Sequence, residues 1–150
     1  LLDEMKAKDI VDRKKVITFL SAFDSRSGSM CATQVTSKGG VDKFAIKKLS
    51  RWIDRLGYKS CMIATDNENA VKVFARRVKA SCSANVSLRE RPKGSPASLG
   101  GGETAVQIIA GGVRTYLSEM EQRIGELVPV TCRVIPWMIS HVAFCRRRFN

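Results

Sequence analysis

SCMIATDNENAVKVFARRVKA (60–80) and RPKGSPASLGGGETAVQIIAGGVRTYLSEMEQ (91–122) are the stretches from which the rest of the chain is read. Ser60–Thr65 is short and apolar without alternation, the pattern of a strand buried on both faces. A helix follows over roughly 68–80, with Val71, Phe74, Ala75 and Val78 at helical spacing for its inner side. Lys72, Arg76 and Lys79 share the outer side, either as a solvated face or as a surface for phosphate. The segment 89–102, RERPKGSPASLGGG, holds too much Pro, Ser and Gly for regular structure. Residues 103–124 then form the longest helix, with Ala105, Ile108, Ile109, Val113, Leu117, Met120 and Ile124 inward. Gly111-Gly112 costs that helix about 1 kcal/mol per glycine against alanine, so the pair is expected to mark the close approach of another backbone. Asp66 leaves the strand end and Glu103 opens the helix, with lysines and arginines between them. Taken singly they read as a turn carboxylate and a helix-start carboxylate favoured by the macrodipole. Taken together they suit a metal site that handles phosphate.

Working outward, VITFLSAF (16–23) is β-branched and aromatic, DSRSG (24–28) is a turn, and SMCATQVT (29–36) alternates, so the three predict a β-hairpin. Asp24 is a turn residue in this reading. Residues 1–15 show no clear period and are expected as a frayed strand end or a loop. After SKGG (37–40), Val41, Phe44, Ala45, Leu49, Trp52, Ile53 and Leu56 trace one face of a helix that Gly57 is placed to end in a left-handed cap. ANVSL (84–88) predicts a short strand, and IPWMISHVAFCRRRF (135–149) predicts a closing helix with Pro136 near its first turn. His141 is read as a core or helix-packing residue near Trp137. Arg146, Arg147 and Arg148 are either phosphate contacts or cations at a helix end. The order of antiparallel strands followed by α/β crossovers predicts a three-layer α/β fold with a mixed sheet flanked by helices, in one domain over 1–150.

The net charge of +12 on 150 residues points to a polyanion, nucleic acid before an acidic membrane surface. No run approaches the roughly 18 apolar residues of a spanning helix, and LLDEMKAKD lacks the shape of a signal peptide. An intracellular protein without a membrane partner is expected. Five cysteines without a C-x-x-C, each among apolar residues, predict small buried thiols and no zinc site. The glycines at 100–102 lack the Gly-Lys-Ser/Thr ending of a P-loop.

Thr65-Asp66-Asn67-Glu68 and Ser95-Pro96-Ala97-Ser98-Leu99-Gly100-Gly101-Gly102-Glu103 resemble the catalytic core of retroviral and retrotransposon integrases, the copia-like lineage within the ribonuclease H-like superfamily. The likeness extends over residues 16–150: the hairpin resembles that family's second and third strands, 103–125 its long helix, and 135–150 its closing helix. It implies a ribonuclease H-like fold and metal-dependent DNA strand transfer by part of a retroelement polyprotein. Asp66 and Glu103 would be catalytic and metal ligands for Mg2+ or Mn2+, two ions about 4 Å apart. Gln107, Lys72, Arg76 and Lys93 would touch DNA, through phosphate contacts that orient the substrate and do not read its sequence. Homo-oligomerisation is implied too, as is a nuclear place of work in a eukaryotic cell. The sequence departs from the family at Leu99, where Asn is usual, at Thr104, where Arg commonly follows the Glu, and at Glu68 in place of glycine. The family's first catalytic Asp belongs to a strand that looks truncated here; it is expected upstream of Leu1, with Asp3 as the one early candidate. A decayed or domesticated remnant that binds DNA without cutting it, and a nuclease of the same superfamily, are the competing readings.

Overall fold

The computed structural model describes residues 2–5, 17–35, 42–65, 68–90 and 100–148. The elements are β1 (Leu2–Met5), β2 (Ile17–Phe23), β3 (Met30–Gln34), α1 (Lys43–Arg55), β4 (Ser60–Thr65), α2 (Asn69–Ser81), β5 (Asn85–Glu90), α3 (Gly100–Ile124) and α4 (Val134–Arg148). The architecture is mixed α/β. Val16, Thr36, SKGG and Val41 of the sequence reading lie outside the described residues.

β1, β2 and β3 form an antiparallel sheet in that order, with Asp3 opposite Phe19 and Ala22 opposite Cys31. Of the frayed strand end or loop expected over residues 1–15, residues 1 and 6–15 lie outside the described residues, and Leu2–Met5 is a strand. Its Asp and Glu are poor strand formers, and the ladder with β2 outweighs that local preference. β4 and β5 pair in parallel, from Ser60 opposite Asn85 to Thr65 opposite Glu90, with α2 as the crossover. No pairing among the described residues joins the two sheets into the single mixed sheet that the element order predicts.

Alternation along β2 and β3 sets the layers. Ile17, Phe19, Met30 and Ala32 face α3 and α4, where they join Ala105, Ile109, Val113, Ile135 and Ile139 in one core. Leu20, Cys31 and Val35 turn the other way, onto Ala45, Leu49, Trp52 and Ile53 of α1 and Val78 of α2. Val86 of β5, with Cys61 and Ile63 of β4 beside it, belongs to this second core, so α1 couples the two sheets. Burying a side chain such as Phe19 contributes about 1.5–3 kcal/mol.

Polar bonds close the rims. The β2–β3 turn is organised by Asp24, whose carboxylate accepts from the Ser27 amide at 3.1 Å, the Ser27 hydroxyl and the Tyr58 hydroxyl at 2.8 Å. Gly28 takes the left-handed conformation there, at φ +70°. The 3.0 Å bond from the Val35 amide to the Thr18 carbonyl fixes which residues of β3 bond to β2, and by alternation the Ala32 carbonyl faces the open edge. Lys48 Nζ donates to that carbonyl at 2.8 Å and to Ser140 Oγ at 2.6 Å, so α1 and α4 meet across the edge and blunt it. Burial pushes the Lys48 ammonium below its ordinary pKa. Trp52 is core, as its spacing predicts, and its Nε1 donates to Ser29 Oγ. Asp42 caps α1 by accepting from the Ala45 amide, and Gly57 at φ +75° ends it as expected.

Several expectations are corrected. Phe44 is not inward: it is 68% exposed, because Ile53, nine residues on and about two and a half turns away, points to the opposite side. β4 is not buried on both faces. Cys61 and Ile63 meet the α1 core while Ser60, Met62 and Ala64 are exposed, since helices cover only one side of β4–β5. Ile124, at the last turn of α3, is also exposed. Only Cys31 is a buried thiol; Cys61, Cys82, Cys132 and Cys145 are free and half-buried. No helix among the described residues is long and apolar enough to cross a membrane.

Candidate functional site

Glu103 stands in the first turn of α3, which begins three residues earlier than the sequence predicts, and its side chain is exposed. Backbone N–H groups of that turn lack helical partners, so a carboxylate is favoured there. Packing decides where the turn sits. A Cβ at Gly101 would lie 2.7 Å from Cδ1 of Phe23, so only glycine lets α3 rest on the ring at the end of β2. Gly112 does the same further along: a Cβ would lie 2.7 Å from Val142 Cγ1, whereas Gly111 faces open space. The close approach expected of the glycine pair thus belongs to Gly112 alone, and it holds α3 against α4. Gln107, one turn after Glu103, is exposed on the same side of the helix.

β2 relates Glu103 to the N-terminal strand. Asp3 occupies the register position opposite Phe19, four residues along β2 from Phe23 and so about 13 Å from it by strand rise. Asp3, the one early candidate for the first acid, thus lies in a strand paired with β2. Its signal in the sequence is weak, a short LLDEM run whose charges obscure the strand.

Asp66 and Lys93 lie outside the described residues, as does the Pro, Gly and Ser segment over 91–99. The strands that lead to them are clear. Thr65 and Glu90 are paired as the last residues of β4 and β5, so the chain leaves both strands at one edge, towards Asp66 and towards Lys93. The carboxyl ends of parallel strands are where open α/β sheets bind their ligands. Lys72 lies at this edge and donates to Glu90 Oε2 at 2.9 Å. That bond and the Lys72 charge, with a smaller contribution from Arg76, hold the Glu90 carboxyl below its usual range. Within the predicted basic stripe, Lys72 is thus engaged with a carboxylate, while Arg76 and Lys79 are exposed.

Among the described residues no group of three or more His, Cys, Asp or Glu side chains could hold a metal ion. Glu103 is the one oxygen donor of the expected set whose side chain is described. Asp24 is a turn organiser: burial would raise its carboxyl, but the bonds from Ser27, Tyr58 and Arg26 outweigh this and hold it low. His141 is not core. It stacks on Trp137 at 4.5 Å and meets Tyr116 and Phe144 on the outer side of α4, with Trp137 57% exposed.

No family model matches the chain, and no curated protein does. A solved structure does. It is a chain in the cryo-EM structure of a simian T-cell lymphotropic virus intasome in complex with PP2A regulatory subunit B56 gamma. The two are similar at TM-score 0.67 and 21% sequence identity, over 99% of this chain and 47% of that one. The fold is shared. This chain spans about half the length of its intasome neighbour, and at this identity the likeness speaks of architecture alone.

Proposed function

We propose that this chain is the catalytic core of a retroelement integrase of the copia-like lineage, with a ribonuclease H-like fold, acting in metal-dependent DNA strand transfer. The observation that carries the reading is the intasome fold, spanning nearly the whole chain, with Glu103 exposed in the first turn of α3. Asp3, Asp66 and Glu103 would hold Mg2+ or Mn2+, hard cations that suit carboxylates and water. When bound, such an ion activates a water or a 3′-hydroxyl and stabilises the leaving oxygen of a phosphodiester. The chain's own part is to orient DNA: Gln107 beside Glu103, Lys72 and Arg76 of α2, and Lys93 would supply phosphate contacts. Self-association accompanies this reading, and the exposed Trp137 and Phe144 of α4, with the half-buried His141 between them, give a second copy an aromatic surface. The work would take place on DNA inside a cell, in the nucleus of a eukaryote.

The strand at Leu2–Met5 favours an active core over a decayed remnant, since it supplies an acid in a strand paired with β2. The test is a gel assay with a labelled oligonucleotide bearing a free 3′-hydroxyl and a duplex target, in Mg2+ and in Mn2+. Joined product that E103Q and D66N abolish is expected. Shortened product without joining would replace the proposal by the nuclease. Tight DNA binding with neither product would replace it by the DNA-binding remnant.

A further inference from the structure

Across the β2–β3 sheet from α3 and α4, the helices α1 and α2 enclose a groove of about 620 Å³ that the site described above does not use. Lys43, Lys47 and Arg51 line its α1 wall at four-residue steps, and Arg77 of α2 faces them. Steps of about 6 Å set the three α1 cations in a row of about 12 Å. All four side chains are exposed, and neither described ion pair, Lys72–Glu90 or Arg123–Glu119, involves them. The one carboxylate in the lining, Asp54, is already engaged: its Oδ1 accepts from the Ser83 amide at 2.9 Å and the Ala84 amide at 3.2 Å. The groove is therefore a concave surface with an excess of positive charge, four cations against the single carboxylate of Asp54, a shape that concentrates the field on an anion.

We infer that this groove binds the phosphate backbone of a nucleic acid, as a contact separate from Glu103 on α3. A row of about 12 Å faces several phosphates, since duplex DNA carries one charge per about 1.7 Å of axis. An acidic protein partner would need an exposed apolar or aromatic anchor between the cations; the lining has only buried Ile46 and the small Ala80. The inference goes beyond the proposed activity, because it rests on charge and shape at α1 and α2 and stands even for a chain that joins no DNA.

The experiment is fluorescence anisotropy with a labelled duplex of about 30 base pairs, titrated between about 50 and 200 mM salt. Wild-type chain is compared with K47A/R51A/R77A, with the charge-preserving K47R/R51K/R77K, and with R114A/R123A/R133A as an equal loss of charge elsewhere. Each lost phosphate contact removes about 0.9 from the slope of log affinity against log salt. The groove triple is expected to flatten that slope by between two and three units and to weaken binding at least tenfold at about 100 mM salt. The charge-preserving triple keeps the slope, and the control triple loses less than one unit. Equal losses in the groove and control triples, or an unchanged slope in the groove triple, overturn the inference. Displacement of the duplex by polyglutamate at equal charge would overturn the nucleic-acid assignment. E103Q, run in parallel, leaves the slope intact, so a failed active site and a failed groove give different results. Thermal melting within a few degrees of wild type, expected for exposed substitutions, shows that each variant is folded.

Discussion

The two sides of the β2–β3 sheet are built on different principles. On the α3–α4 side the contact is apolar and close: Ile109, Val113, Ile135 and Ile139 are fully or almost fully buried, and Gly112 lets α3 meet Val142 without an intervening side chain. On the α1–α2 side the apolar core is fringed by directional bonds, from Trp52 to Ser29, from Lys48 to Ala32 and Ser140, and from the Ser83 and Ala84 amides to Asp54. The first arrangement positions a helix and so places Glu103. The second fixes a strand edge and a loop, and leaves its cations facing water. Shape complementarity therefore carries the candidate catalytic side, and charge carries the other.

The comparison breaks most visibly in the apolar core. Ile109→Ala removes a side chain with no exposed surface and is expected to cost about 2–5 kcal/mol in chemical denaturation, with Glu103 losing its fixed place as α3 loosens. A cost below about 1 kcal/mol would mean that the α3–α4 contact is looser than described. The glycine pair gives a sharper test. Gly112→Ala is expected to cost about 1–3 kcal/mol, because the added methyl meets Val142. Gly111→Ala, into open space, should stabilise by about 0.4–1 kcal/mol. Opposite signs from adjacent residues are the signature; equal effects would contradict the close approach.

The polar fringe predicts a smaller, pH-dependent effect. The Asp24 carboxyl is depressed in the folded chain, so its contribution is present above the ordinary carboxylate value of 3.8 and is lost as the pH falls through the folded value. Denaturation followed between about pH 6 and pH 2 should therefore show an acid loss of stability that Asp24→Asn flattens and Tyr58→Phe reduces. An unchanged acid limb in Asp24→Asn would remove the turn from the list of acid-sensitive contacts.

Much of this was legible in the residues. The hairpin, α1 with its Trp52 core and Gly57 cap, α2, β5 and the long α3 follow from local period and turn chemistry, and the structure keeps them within a few residues. What local pattern could not supply was set by distant partners. β1 exists because β2 offers it a ladder, and no reading of LDEM contains that information. β4 is covered on one side because α1 and α2 lie there, so its lack of alternation says nothing of its surroundings. Phe44 was placed inward by a face drawn too wide, whereas the helix-packing reading of His141 holds through Tyr116 of α3. Of the pair of acids read as the candidate site, only Glu103 lies among the described residues, in the first turn of α3. The close approach of Gly101 to Phe23, which sets where the first turn of α3 lies, needed the third dimension.

The central claim is that Asp3, Asp66 and Glu103 serve one divalent-metal site, and calorimetric titration of Mg2+ and Mn2+ tests it most directly. The account predicts saturable binding in the millimolar range or tighter to the wild-type chain. Each of Asp3→Asn, Asp66→Asn and Glu103→Gln should weaken that binding, and the groove triple should leave it unchanged. No binding to the wild-type chain, or binding indifferent to the three substitutions, would contradict it.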